Sequence, residues 1–402
     1  MKHTVIPAEI VKSSYADLAA MGLAQILLWG GSYFLLSVLS APVMQDTGWS
    51  HQMVYSALSL ALLISGLVLP AIGRIIDRYD HNYVLQYAGV VMAAGLLLLG
   101  LAQHFVVYLL AWTIIGIAMA MGLYDALFAS LGRKYGTGTG KVIVQVTLIA
   151  SLAPSISWYL LSLLLEHFHW RTVCFIYAGM LLLTILPLYR SVFHQPAERR
   201  EQPVVSLQQN VPQQTAPDGS LFYLLLISFT IGAVAATGII IHLIDILADK
   251  KMAMTAVIRT AAFLGPSQAG VRILDLLLPS RSSLHTAVVA AMAILAGMLL
   301  LSTIPQVAVC GVIILGMGNG MRSILRGTLP LEIFGRDNYA LIIARLGRLP
   351  LIAQALTPFI TGWLIQQYSV QVFLYVFCAL AFINIILCCI IIKQTNKNGI
   401  RV

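Results

Sequence analysis

The feature that most constrains this 402-residue chain is a train of long apolar runs, each bounded by polar or charged residues. A helix needs about 20 apolar residues to cross about 30 Å of hydrocarbon. Within it, every backbone N–H and C=O must find its partner inside the segment. Twelve runs are long enough: 16–44, 52–74, 82–102, 105–132, 141–165, 170–191, 219–247, 254–278, 284–303, 306–328, 338–366 and 369–393, called spans 1 to 12 in chain order. Some connections are only two residues long, as at Gln103-His104 and Ile304-Pro305, so the spans they join must lie antiparallel. The chain reads as an all-α, multi-pass membrane protein.

Composition agrees. Hydrophobic residues make up 59% of the chain and charged residues 10%, against about 25% charged in a soluble domain. No water-soluble globule could hide that much apolar surface, which excludes soluble enzymes, nucleic-acid readers and disordered scaffolds. The formal charge of +9 therefore has to be located along the membrane. With an even number of spans both termini share a side, and 18 of the 24 Lys and Arg fall on that side, three on the other and three within spans. Basic loops stay in the cytoplasm, so both termini are expected there and the membrane is expected to be the cell inner membrane. The opposite ends of the spans are called outer below. The basic excess points to membrane lipid as a partner and not to nucleic acid.

The first fifteen or so residues are polar and lead into an apolar run without a small-x-small cleavage site, the pattern of a retained first span. Five cysteines, Cys174, Cys310, Cys378, Cys388 and Cys389, all lie in apolar runs and read as small fillers. No cofactor is expected and no metal site, since no cysteine has ligand spacing with a histidine. The run Gly136-Thr137-Gly138-Thr139-Gly140-Lys141 lacks the spacing of a phosphate-binding loop and reads as a flexible link between spans 4 and 5. No Ser-His-Asp arrangement is visible, so the chain is not expected to be an enzyme.

One polar stretch stands out in mid-chain. Residues 192–218 carry Pro196, Pro203, Pro212 and Pro217 with several glutamines, the composition of a flexible linker. It divides an N-terminal six-helix bundle, 1–191, from a C-terminal one, 219–402. The halves echo one another. Leu148-Ile149-Ala150 with Pro154 and Trp158 in span 5 parallels Leu351-Ile352-Ala353 with Pro358 and Trp363 in span 11; Gly73 with Asp77 parallels Gly270 with Asp275, and the glycine-rich run 116–122 parallels 316–320. Parallel six-helix repeats are a known transporter plan.

These features bring the chain to a family. Six plus six spans, a central linker and Gly73-Arg74-Ile75-Ile76-Asp77-Arg78 between spans 2 and 3 resemble the major facilitator superfamily, whose loop signature is a glycine, three residues, an acid and an arginine. The match covers Gly73, Asp77 and Arg78 and departs at Asp80, His81 and Asn82. His169-Trp170-Arg171 at the entry to span 6 is similar as well, and Asp46-Thr47-Gly48-Trp49-Ser50 after span 1 resembles bacterial permeases related to monocarboxylate and oxalate–formate carriers. The resemblance implies two pseudo-symmetric bundles and secondary active transport by symport or antiport, with spans 1, 4, 7 and 10 lining a cavity helped by 2, 5, 8 and 11. It also implies a gating role for Gly73, Asp77 and Arg78, with Asp77 facing the N-terminal end of span 11 and Arg78 pairing with an acid on span 4, for which Asp125 is placed.

Ionisable side chains inside hydrocarbon are costly and mark sites. Here they fall on the spans expected to line a cavity. Asp125 reads either as half of that ion pair or as a proton-coupling carboxylate. His242 and Asp245, three apart on span 7, share a helix face and can exchange protons near neutral pH; solvation of a helix end is the plainer reading. Arg322 lies roughly 24 Å from the outer end of span 10 at about 1.5 Å per residue, with Asn319 beside it and Arg326 one turn on. Arg345 and Arg348 on span 11 and Arg259 on span 8 complete an arginine excess that favours carboxylate or phosphate. Trp29 and Tyr33 on span 1 offer aromatic contacts, or simple packing. The expected function is transport of a small organic anion as substrate, coupled to protons, by a monomer. The rival readings are proton-driven efflux of drugs, siderophores or other amphiphiles, and a non-transporting membrane sensor on the same fold.

Overall fold

A computed structural model describes residues 14–78, 83–135, 139–193, 219–277, 282–334 and 339–397. Among these there is no strand. Eleven helical segments, from Tyr15–Thr47 to Val370–Asn396, are long and apolar enough to cross a membrane. Span 8 is the twelfth, broken into Met254–Ala261 and Leu264–Leu277. The 12-helix fold expected from the sequence is the one observed. Most of the polar stretch 192–218, and with it the linker assignment, lies outside the described residues, as do the loop 79–82 and the glycine-rich link at 136–138.

Four more spans are broken. Span 4 is Phe105–Gly122 and Tyr124–Tyr135, parted at Leu123, whose backbone is extended. Span 1 is Tyr15–Gly30 and Leu35–Thr47, parted just after the Gly30-Gly31 pair. Span 5 is Thr139–Ala150 and Ala153–His167, with Pro154 in the first turn of the second piece, where its missing N–H costs nothing. Span 7 is Ser220–Ile241 and Leu243–Ala248, and His242 caps both pieces. Span 11, in contrast, keeps Pro350 and Pro358 inside one continuous helix, Tyr339–Gln367.

The apolar residues divide between packing and lipid. One core cluster is built around Trp112, Trp170, Tyr177 and Tyr189 and draws almost wholly on spans 1 to 6; two others draw mainly on spans 7 to 12. Ile26, Phe34, Ala153 and Trp158 of the first half belong to a cluster of the second, so spans 1 and 5 pack across the divide. Leu67, Leu101 and Leu183, 68%, 64% and 78% exposed, point away from all protein. In hydrocarbon such side chains are solvated by lipid, and helix association depends on close packing instead of water exclusion. All five cysteines are free.

Two motifs distant in sequence meet at the outer end of the first half. The helix before Trp49 stops at Gly48, whose φ of 71° is left-handed, a conformation that glycine adopts without steric cost. Asp46 accepts from Trp170 Nε1 at 3.1 Å and from Arg171, and its other oxygen lies 3.5 Å from His169 Nε2. Arg171 also donates to the Ala102 carbonyl and stacks over the Trp170 ring. Asp46 thereby ties span 1 to the start of span 6.

Candidate functional site

The two halves touch along two seams. At the outer end, spans 2 and 11 run side by side: the Gln52 N–H donates to Gln366 Oε1 at 3.0 Å and the Phe359 N–H to Ser59 Oγ at 2.8 Å. The approach is close enough that a Cβ at Gly362 would meet Tyr55 Cβ at 3.2 Å and Gln52 Cα at 3.3 Å. Along the second seam, spans 5 and 8 are joined by Ser155 donating to the Ala262 carbonyl and by Arg272 donating to the Thr147 carbonyl. Toward the inner ends of spans 2 and 11, Ile75, Arg345, Arg348, Leu351 and Ile352 are exposed.

The outer seam holds a polar cluster built from four spans. Asp245 Oδ2 accepts from Tyr55 Oη at 2.7 Å, lies 3.0 Å from His242 Nδ1 and sits 3.4 Å from His51 Nε2. Tyr55 also contacts Ser40 Oγ at 3.2 Å, and His242 Nε2 lies 2.9 Å from Thr361 Oγ1. His242 is fully buried and Asp245 half-buried. The His51 ring stacks on Tyr55 with centroids 4.5 Å apart and lies 5.3 Å from the His242 ring. The i,i+3 spacing brings His242 and Asp245 together, but His51, Tyr55, Ser40 and Thr361 had no signal in the sequence, because only the meeting of spans 1, 2, 7 and 11 makes them neighbours.

Nearer mid-depth a second layer spans the divide. From the first half come Trp29, Tyr33 and Tyr124, with ring centroids of Trp29 5.6 Å from Tyr33 and 5.2 Å from Tyr124. Trp29 is oriented by Gln25, which accepts its indole N–H at 3.2 Å and itself donates to the Gly122 carbonyl and to Tyr189. From the second half, Tyr33 meets Thr237 and the field of Arg322; Thr237 accepts from Gln354 Nε2 at 2.9 Å. Arg322 is half-buried and donates through Nε and a terminal nitrogen to Asn319 Oδ1, both at 3.2 Å. No carboxylate lies within ion-pair distance of it among the described residues. Gln354, Thr237 and Asn384, whose Oδ1 accepts from Ser228 at 2.7 Å, were not singled out in the sequence, since neutral polar residues are common in membrane helices.

The remaining candidates are spread around these layers. Asp125 is exposed and feels the charge of Arg326. Arg326 reaches toward span 11, where a Cβ on Gly347 would lie 3.7 Å from one of its terminal nitrogens. Arg345 and Arg348 flank that glycine on the exposed face. Arg259 is exposed on Met254–Ala261 and stands apart from Arg322. Gly73 borders open space, and the helix His51–Arg78 ends with Asp77 and Arg78, whose side chains lie outside the described residues, and with them the proposed pairing. The sequence offered no metal-ligand spacing, yet the fold brings His51, His242 and Asp245 within ligand distance of one another.

Two bundles of membrane helices, joined across a polar layer and a polar outer seam, define a multi-pass membrane transporter. Residues 21–347 match the profile of the Major Facilitator Superfamily, and the chain belongs to that superfamily. It is therefore a transporter and not an enzyme. No curated protein sequence matches it. Its fold is similar to that of a bacterial homologue of the human lysosomal transporter Spinster in an inward-facing, unoccupied conformation, at 14% identity over 96% of this chain and 97% of that one, with a TM-score of 0.68. It is also similar to the nucleoside transporter NupG, at 14% identity over 94% of this chain and 98% of that one, with a TM-score of 0.70.

Proposed function

We propose that this transporter moves a small organic anion across the cytoplasmic membrane by alternating access, coupled to protons, with both termini in the cytoplasm. The observation that carries the substrate class is Arg322. It is a half-buried guanidinium within span 10, held by the Asn319 carbonyl oxygen and facing no carboxylate among the described residues. An uncompensated cation in a low-dielectric layer is expensive, and a planar anion supplies the missing charge with two parallel acceptors. Trp29, Tyr33 and Gln354 would flank that anion, and the exposed Asp125, Arg326, Arg345 and Arg348 would line its route to the inside. Contacts at the outer seam and exposed inner ends fit an inward-open state. His242 and Asp245 would carry the proton, because they bridge to the other half through Tyr55 and His51, and opening the outer seam must break those bonds.

The test is thermal unfolding of the purified protein against carboxylates, phosphates, a nucleoside and cationic amphiphiles. A ligand at a hundred times its dissociation constant stabilises the folded state by about 2.7 kcal/mol. Stabilisation by carboxylates is expected. Stabilisation by cationic amphiphiles alone would replace this reading with efflux, and by the nucleoside alone with a neutral substrate.

A further inference from the structure

The outer seam contains an electrostatic arrangement that asks for a cation. Thr361 Oγ1 lies 2.8 Å from the Thr357 carbonyl and donates its proton there. It must then accept the Nε2–H of His242, at 2.9 Å. In a neutral ring that tautomer leaves the Nδ1 lone pair aimed at Asp245 Oδ2, 3.0 Å away. Two lone pairs at that distance repel unless a positive centre sits between them. A proton is one such centre. The third group of the cluster favours another: both ring nitrogens of His51 are buried without a hydrogen-bond partner, and Nε2 stands 3.4 Å from the same carboxylate oxygen.

We propose that His51 Nε2, His242 Nδ1 and the Asp245 carboxylate form a binding site for a divalent transition metal of the zinc class. Zinc holds imidazole nitrogen at about 2.0–2.1 Å and carboxylate oxygen at about 2.0–2.2 Å, so neighbouring donors in a tetrahedron stand about 3.4 Å apart. The two edges that meet at Asp245 Oδ2 measure 3.0 and 3.4 Å. The third, His51 to His242, is within 4.8 Å and closes by rotation of a His51 ring that has no hydrogen bond to give up. Water fills the fourth position. The outer shell is already in place: Thr361 fixes the His242 ring through Nε2, and Tyr55 holds the Asp245 carboxylate, the supports that ligating histidines and carboxylates require.

His51 belongs to the first half and His242 and Asp245 to the second, so the donors come together only while the outer end is closed. Bound metal pins that end shut and slows transport. The proposal shares two residues with the proton reading but does not depend on the substrate, and its test uses neither substrate nor flux.

Cobalt(II) alone is titrated into the untagged full-length protein in detergent, and its visible absorption reports coordination. One equivalent is expected to give the intense bands of a tetrahedral nitrogen–oxygen site, which zinc then displaces. His51→Ala is expected to weaken binding at least a hundredfold, Tyr55→Phe about tenfold through the outer shell, and His169→Ala not at all. His51→Gln replaces the alanine variant if that one does not fold. Absence of tetrahedral bands in the wild-type protein overturns the proposal, as do bands that survive both His51→Ala and Asp245→Asn or that disappear in His169→Ala. Proton-driven accumulation undiminished in Asp245→Asn, with cobalt bound tetrahedrally by the wild-type protein, would sink the proton reading and leave this one standing.

Discussion

Where span 4 crosses span 2, Gly116 lies against Ala61; where span 10 crosses span 8, Gly316 lies against Leu264 and Ser267. Gly95 meets Ile115 across spans 3 and 4, and Gly297 meets Leu315 across spans 9 and 10. Spans 1 and 7 both break, near Gly31 and at His242. The two halves therefore keep one packing plan at an offset near 200 residues. Their chemistry has parted. The same offset sets Gly122, packed against Ala88 and Leu28, opposite Arg322. The first half contributes aromatic rings to the middle layer, and the second contributes the guanidinium of Arg322 with Asn319, Thr237 and Gln354. Duplicated packing preserves the bundle, while recognition needs only a few side chains and can be concentrated in one half.

Asp245→Asn attacks the place where the halves exchange bonds and should have the largest effect. An amide can neither take up a proton nor balance His51 and His242, so accumulation driven by a pH gradient should vanish while exchange of labelled solute persists. Undiminished proton-driven accumulation would remove Asp245 from coupling. Arg322→Ala tests whether recognition is concentrated in the second half. Losing charge-assisted bonds costs up to about 3 kcal/mol, roughly a hundredfold in anion affinity, and titration of the preferred anion reads it directly. Affinity within twofold of wild type would shift recognition to the aromatic half.

The smallest effect sharpens the packing comparison. A Cβ at Gly116 would stand 2.5 Å from the Ala61 carbonyl oxygen and 2.9 Å from its Cα, whereas one at Gly316 would meet Ser267 Cβ at 2.8 Å and the Leu264 carbonyl at 2.9 Å. Overpacking costs about 1–3 kcal/mol. Both glycines face backbone atoms within 3.0 Å, so both alanine variants should be destabilised, Gly116→Ala the more because its contact with the Ala61 carbonyl oxygen is the closer. Equal melting temperatures for the two variants would show that the closer contact at Gly116 is no more rigid than the one at Gly316.

Much of the fold was legible because hydrocarbon imposes length and apolarity on every crossing segment, whatever its neighbours. Span positions agree with the observed helices to within a few residues, whereas the breaks inside spans 1, 4, 5, 7 and 8 fall within continuous apolar runs. The pairing of His242 with Asp245 was legible too, since i,i+3 geometry is a property of the helix alone. His51 was not, for it stands at the head of span 2 with nothing local to mark it.

The sequence by itself determined the class of solvent, the number of crossings and the repeat, because these follow from transfer energies summed along the chain. It also marked Arg322 as an unusual charge at depth. Only the tertiary structure decided that Asp46 would join His169, Trp170 and Arg171, that Tyr33 would meet Thr237 and Arg322, and that Asp245 would gather donors from both halves. Those contacts depend on which face each helix turns inward, and helix rotation is set by the packing of small residues against neighbours that lie up to about three hundred residues away in the chain, as Gly362 lies against Tyr55.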